Sequence, residues 1–182
     1  MVEDLTALAV RSSRGDRAAL TRFVRAAQSD VYRYCQHLSG SDAAADLTQE
    51  TFVRAIKALP GFEARSSART WLFAIARRTC ADWVRSQQRQ ARLDERLRGG
   101  HDLLAAPASG RIELDLLLAS LDSDRREAFV LTQIVGLSYA EAAEVCGCAI
   151  GTIRSRVARA RFQLLRDLDP QAVGNLREAA SD

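Results

Sequence analysis

Apolar positions recur along this chain three and four residues apart, the spacing of helices packed on one face. Leu20, Phe23, Val24, Ala27, Val31, Tyr34, Cys35 and Leu38 predict a helix from about Arg17 to Leu38. Leu5 to Ser13 predicts a shorter helix before it. Gly15-Asp16 breaks that helix, and the Asp16 carboxylate suits the N-cap of the next. Ser39 to Asp42 reads as a loop. A third helix from Ser41 or Asp42 runs to about Leu59, where Pro60-Gly61 stops it. Its inward positions are Leu47, Phe52, Ala55, Ile56 and Leu59, while Asp46, Gln49, Glu50 and Arg54 share the outer face. The polar stretch Gly61 to Thr70 holds one aromatic, Phe62. Thr70 is placed to cap a fourth helix, Trp71 to about Gln90, with Leu72, Ile75, Ala76, Cys80 and Val84 on its apolar side.

The periodicity fails from Ala91 to Arg111, where charged residues grade into Gly99-Gly100, Pro107 and Gly110; this reads as a linker. Helical spacing resumes at Ile112 to Leu121 with Leu114, Leu117, Leu118 and Leu121. A further helix, Ser123 to Val135, is capped by Asp122, buries Phe129, Val130 and Ile134, and ends at Gly136. Ser138 opens the next, with Glu141 three residues on as a capping box, and Gly147 ends it where positive φ is needed. In the last helix Ile150, Ile153, Val157, Ala160 and Leu164 form one stripe. Arg154, Ser155, Arg156, Arg159 and Arg161 form the other. Helix, glycine turn and basic helix make a helix-turn-helix, whose second helix enters the major groove. From Asp167 the acidic tail reads as frayed, with a loose helix over Ala172 to Ala180. The expected fold is all-α: two small helical domains, 1–90 and 112–168, a flexible linker 91–111 and a tail 169–182.

Three prolines, ten glycines and abundant Ala, Leu and Arg agree with helices throughout. The net charge is only +3, but it is unevenly spread. Residues 65 to 92 hold seven arginines against Asp82 alone, and no acid lies between Ile150 and Arg166. Residues 112 to 149 hold seven acidic residues against only Arg125 and Arg126. Two basic patches with acid between them suit two contacts on one long polyanion. Around the first patch, Trp71 and Trp83 interleave with arginines after a polar loop, a pattern that fits single-stranded nucleic acid, where bases stack. As an ordinary alternative, both tryptophans anchor the core. All but one of the 26 basic residues are arginine, the exception being Lys57, a bias that points to a high-GC genome.

The N-terminus lacks a basic-then-apolar signal region and no apolar run approaches bilayer length, so a cytoplasmic location is expected. Cys35-Gln36-His37 and Cys146-Gly147-Cys148 are poor zinc spacings, and no C-x-x-C occurs. The four cysteines, Cys80 included, read as small core residues with no metal or cofactor expected. Neither His37 nor His101 has a carboxylate partner at helical spacing, so an enzyme is not expected.

Asp46-Leu47-Thr48-Gln49-Glu50-Thr51-Phe52, followed by Thr70-Trp71-Leu72-Phe73-Ala74-Ile75-Ala76-Arg77, resembles region two of bacterial RNA polymerase sigma factors. Gly136 to Ala143, with Gly151 to Arg156, resembles their region four. Order and spacing are similar to the extracytoplasmic-function group, with an actinobacterial source expected. The resemblance implies that Asp46, Gln49, Glu50 and Arg54 dock on core polymerase, whose largest and second-largest subunits are the expected partners. It implies that the Gly61–Thr70 loop holds a flipped base of the minus-ten element, in a pocket at Ala58, Phe62, Ile75 and Arg78. The same element would be met by Arg65, Arg69, Trp71, Arg77 and Arg85, the helix face holding the strand backbone. Arg78 stands where asparagine is common; asparagine both donates and accepts while arginine only donates, so the departure bears on which base is held. In region four, Thr152, Arg154, Ser155, Arg156, Ala158 and Arg159 match positions at the minus-thirty-five element, with Arg156 and Arg161 best placed for phosphates. The family also implies an anti-sigma factor as a partner. The alternative class is a conventional helix-turn-helix regulator in which residues 1–90 sense a ligand or dimerise; it leaves the arginine-rich Trp71 helix unexplained.

Overall fold

The structure, a computed structural model, describes residues 4–98 and 112–168. They fall into two compact helical units, one within residues 1–106 and the other within 107–182.

The first unit holds α1 (Leu5–Ser13), α2 (Arg17–Ser39), α3 (Ser41–Ala58) and α4 (Ala68–Arg98). Asp4 and Asp16 cap α1 and α2 by accepting from Thr6 N and Ala19 N. α2 is the axle and packs against each of the other three. Phe23, Val31, Tyr34, Leu72 and Phe73 are fully buried, and Tyr34 meets Phe73 edge-on at 5.4 Å.

Four local expectations change here. The loop expected at Ser39 to Asp42 is Gly40 alone, at φ 87°. Ile56 faces outward at 42 % exposure, because Thr48 and Thr51 take core positions on α3. Those hydroxyls are buried at no cost in hydrogen bonds, each donating to the carbonyl four residues back, Ala44 and Leu47, at 2.7 Å. Thr70 does not cap α4. Ser67 does, its Oγ accepting from Thr70 N at 3.0 Å, while Ala68 N donates to Thr6 Oγ1 of α1 at 3.2 Å. That tertiary contact selects among the hydroxyls of the Ser66-Ser67-Ala68-Arg69-Thr70 run. Finally, α4 continues past Gln90 to Arg98, through the start of the stretch read as linker. The rest of that linker, His101, the tail from 169 and its expected loose helix lie outside the described residues.

The second unit holds α5 (Ile112–Ser120), α6 (Ser123–Phe129), α7 (Tyr139–Cys146) and α8 (Ile150–Leu168). Asp122 caps α6 as expected, accepting from Arg125 N at 2.9 Å. The expected single helix to Val135 instead widens into a π turn at Val130–Ile134. The extra residue in that turn advances the apolar face. Val130 and Leu131 are fully buried, whereas Phe129 and Ile134, both expected in the core, are only half-buried. Gly136, at φ 82°, then turns the chain into α7.

Candidate nucleic-acid interface

Between α3 and α4 the chain forms a short 3-10 turn, Leu59–Gly61, and then an extended loop. Ala64 sits in this loop at φ 54°, a left-handed conformation that costs an L-residue free energy and recurs where a loop is held for function. The loop and the start of α4 enclose a concavity of about 220 Å³ lined by Gly61, Phe62, Glu63, Ala64, Arg65, Ser66 and Trp71. The rings of Phe62 and Trp71 lie 5.0 Å apart, tilted at 53°. Both residues are half-buried, so Trp71 is neither a core anchor nor a free side chain. A planar aromatic guest can stack there, and Arg65, 86 % exposed and paired with Glu63, supplies a cation to the lining. Of the other residues expected at this pocket, Ile75 and Arg78 lie further along α4 and Ala58 ends α3. None of the three lines the concavity.

The remaining basic residues of α4 divide by their partners. Arg78 and Arg85 are exposed, with Arg85 bonded to Asp82 at 2.5 Å, one turn back. Arg77 is half-buried. Arg69 is held instead: its Nη2 donates to Asp30 Oδ2 on α2 at 2.8 Å. It therefore anchors the start of α4 to the axle helix.

On α3, Asp46, Gln49 and Glu50 are exposed together. Arg54 leaves that group, since its Nε donates to Glu50 at 2.7 Å and its Nη1 to Asp82 of α4 at 2.8 Å. These bonds, Arg54 first and Arg85 next, hold the Asp82 carboxyl below its ordinary value, while the two carboxylates, Asp82 foremost, push the Arg54 guanidinium higher.

The helix-turn-helix is assembled as its residues dictate. Ser138 Oγ accepts from Glu141 N at 3.2 Å, and Glu141 Oε2 accepts from Ser138 N at 2.9 Å, closing the capping box. Gly147 adopts the left-handed φ of 65° that ends α7. Ile153, Val157, Ala160 and Leu164 bury the seam of α8, while Ile150, at its first position, stays 40 % exposed ahead of that seam. Arg154, Ser155, Ala158 and Arg159 are exposed on the opposite face, and Thr152 is half-buried beside them. Arg156 and Arg161, expected at phosphates, both have protein partners. Arg156 pairs with Asp124 of α6 and approaches Cys148 Sγ at 3.9 Å. Arg161 donates to Gln133 Oε1 at 2.6 Å. Sequence reasoning missed the acceptors Asp30, Asp82, Asp124 and Gln133. The 82–85 and 30–33 spacings are local signals that Asp82 and Asp30 are engaged; the pairings with Arg54, Arg69, Arg156 and Arg161 cross between helices.

Among the described residues, no group of three His, Cys, Asp or Glu side chains is arranged to hold a metal ion. No helix among them is long and apolar enough to cross a membrane.

Comparison with known proteins gives two family matches: Sigma-70 region 2 over residues 23–90, and Sigma-70, region 4 over residues 111–164. The chain is 51% identical over 172 residues to the ECF RNA polymerase sigma factor SigC of Mycobacterium tuberculosis, covering 92% of this chain and 93% of that one. It is 37% identical over 148 residues to the ECF sigma factor EcfG of Rhodopseudomonas palustris, covering 78% and 80%. Two solved structures are similar. CnrH, in complex with the cytosolic domain of CnrY, has a TM-score of 0.72 at 28% identity, covering 92% of this chain and 99% of that chain. RpoE of Bartonella quintana, in complex with the anti-sigma factor NepR, has a TM-score of 0.69 at 31% identity, covering 81% and 95%.

Proposed function

Because this chain belongs to the extracytoplasmic-function group of sigma-70 factors, which bring core RNA polymerase to promoters, we infer a division of labour between its two units. The first, residues 1–90, docks on polymerase and opens the minus-ten element; the second, residues 112–168, reads the minus-thirty-five element as duplex; residues 91–111 join them. The observation that carries this division is that each unit pairs an exposed arginine face with its own reading device. In the first unit that device is the Phe62–Trp71 concavity at the head of α4. In the second it is the outward side of α8.

Asp46, Gln49 and Glu50 offer acceptors to a basic, helical partner surface on the polymerase clamp, a contact that fixes register and speeds encounter. Arg54 orients Glu50 for it. An unstacked base stacks against the Phe62–Trp71 pair, Arg65 and Arg85 neutralise the strand's phosphates, and Arg78 offers donors to base or backbone. Ala58, Ile75, Arg69 and Arg77 support this surface from behind or beside it. On α8, Arg154 and Arg159 reach guanine edges, and Ser155, Ala158 and Thr152 pack against the groove wall. Arg156 sets the pitch of α8 on α6. RNA synthesis itself is the polymerase's chemistry, and the work is done in the cytoplasm.

Run-off transcription with purified core polymerase tests this. RNA from a cognate promoter should depend on the added chain, and synthesis that is the same without it would defeat the proposal. A conventional regulator would instead shift a palindromic duplex in a gel without polymerase.

An anti-sigma factor holding the chain inactive is part of the proposal, supported by RpoE having been solved with its anti-sigma factor. Affinity purification from native cells should recover a small partner in place of core polymerase under non-inducing growth. Recovery of polymerase alone in every condition would count against it.

A further inference from the structure

Cys35 of α2 and Cys80 of α4 face one another inside the first unit, and neither belongs to the surfaces assigned above. Cys80 Sγ donates to Cys35 Sγ at 3.7 Å; Cys35 is 0% exposed and Cys80 2%. They stand 45 positions apart in sequence, and the segment between them includes all of α3 and the base-capturing loop. A disulfide needs the sulfurs about 2.05 Å apart, so closure here asks for roughly 1.6 Å of travel. Among the described residues the other two thiols, Cys146 and Cys148, lie in the second unit.

We propose that Cys35 and Cys80 form a disulfide on exposure to hydrogen peroxide, and that this closure lowers promoter opening by the first unit. The Cys35 sulfur attacks the peroxide oxygen, breaking the O–O bond and releasing water, and becomes a sulfenic acid. The Cys80 sulfur then attacks Cys35 and expels a second water. In sum two thiols lose two protons and two electrons, and the peroxide is reduced to two waters.

Cys35 is the better attacker because the Cys80 hydrogen bond favours its thiolate and lowers its pKa against the opposing effect of burial. Thr48 and Thr51 also lie beside it, but each hydroxyl gives its one proton to a helix carbonyl. Peroxide is close to water in size and reaches the pair when α2 and α4 part locally. Once formed, the bond draws α4 toward α2 two residues before Asp82. That strains the Arg54–Asp82 bridge and the lie of the basic face downstream.

The test treats the full chain, with Cys146→Ala and Cys148→Ala, with hydrogen peroxide, then alkylates and maps it by peptide mass. A Cys35–Cys80 cross-linked peptide, short of two hydrogens, is expected, and adding Cys80→Ala should abolish it. Both thiols still alkylated after unfolding would overturn the proposal. Run-off transcription with the oxidised chain should fall several-fold and recover with dithiothreitol. Unchanged activity at complete cross-linking would overturn the control claimed for it. The transcription arm rests on the sigma-factor assignment while the mapping does not, so the two can fail separately.

Discussion

Arg54 Nη1 donates to Asp82 Oδ2 at 2.8 Å, tying the outer face of α3 to the middle of α4. A residue expected to meet polymerase thus also joins the helix proposed to dock there to the helix proposed to hold the strand. Both side chains are substantially exposed, at 39% and 48%, so the bridge does little for stability. Arg54→Ala should leave the melting temperature nearly unchanged yet lower run-off transcription several-fold, with Arg54→Lys recovering only part. A large fall in melting temperature would mean the bridge is a stability element instead.

The same bridge sets a pH dependence. Asp82 is held below its ordinary 3.8 by Arg54 foremost and then Arg85. A depressed carboxylate stabilises the fold above its unfolded value, and that contribution is lost as pH falls through the folded value. The melting temperatures of the wild type and Asp82→Asn should therefore differ by a small, constant amount from pH 5 upward, as befits an exposed bridge. The gap should close below about pH 3.8 as Asp82 protonates.

Trp71→Ala removes one wall of the aromatic pair. Stacking on a base is worth roughly 1–3 kcal/mol, so holoenzyme affinity for a single-stranded minus-ten oligonucleotide should fall on the order of tenfold or more. Fluorescence anisotropy measures this directly. Binding to duplex minus-thirty-five DNA should not move.

The arginines of α8 should separate into two kinds. Arg154→Ala should cost about 1–3 kcal/mol on the preferred site and relax base preference at one position. Arg156→Ala should act through the fold, since its guanidinium bridges α8 to Asp124, and should lower the melting temperature of the second unit. Competition binding across single-base variants, alongside calorimetry, distinguishes them.

Gly147→Ala isolates a backbone effect. Nothing lies within 4 Å of the Cβ it would add, so the cost comes from φ 65° alone, about 1 kcal/mol. For a domain this small that is a fall of roughly 4–8 °C. A smaller shift would mean the turn relaxes into another conformation.

Where one residue's chemistry decides a local structure, the sequence was legible. The caps at Asp16, Asp122 and Ser138 and the left-handed Gly147 were readable because cap and turn chemistry is local. The α8 seam was readable because its period is regular. What escaped depends on a second helix. Ser67 outcompetes Thr70 as a cap in a start of α4 that Thr6 of α1 also holds. The π turn at Val130–Ile134 leaves no mark in periodicity over so few residues. Arg69 and Arg156 looked like phosphate ligands because their carboxylates lie 39 and 32 residues away in sequence. At the pocket, the Phe62–Trp71 pairing was within reach of the residues themselves, whereas the left-handed Ala64 beside it was not.

Gly40 alone separates α2 from α3. Each residue of an α-helix advances the side chains by about 100°, and a one-residue connection has no slack to absorb an added or missing one. A single-codon insertion or deletion here would swing Asp46, Gln49 and Glu50 more than a quarter turn around the helix and drag Thr51 and Phe52 out of the interior. Exposed side chains of this hairpin can therefore be exchanged at little cost, while its length stays fixed.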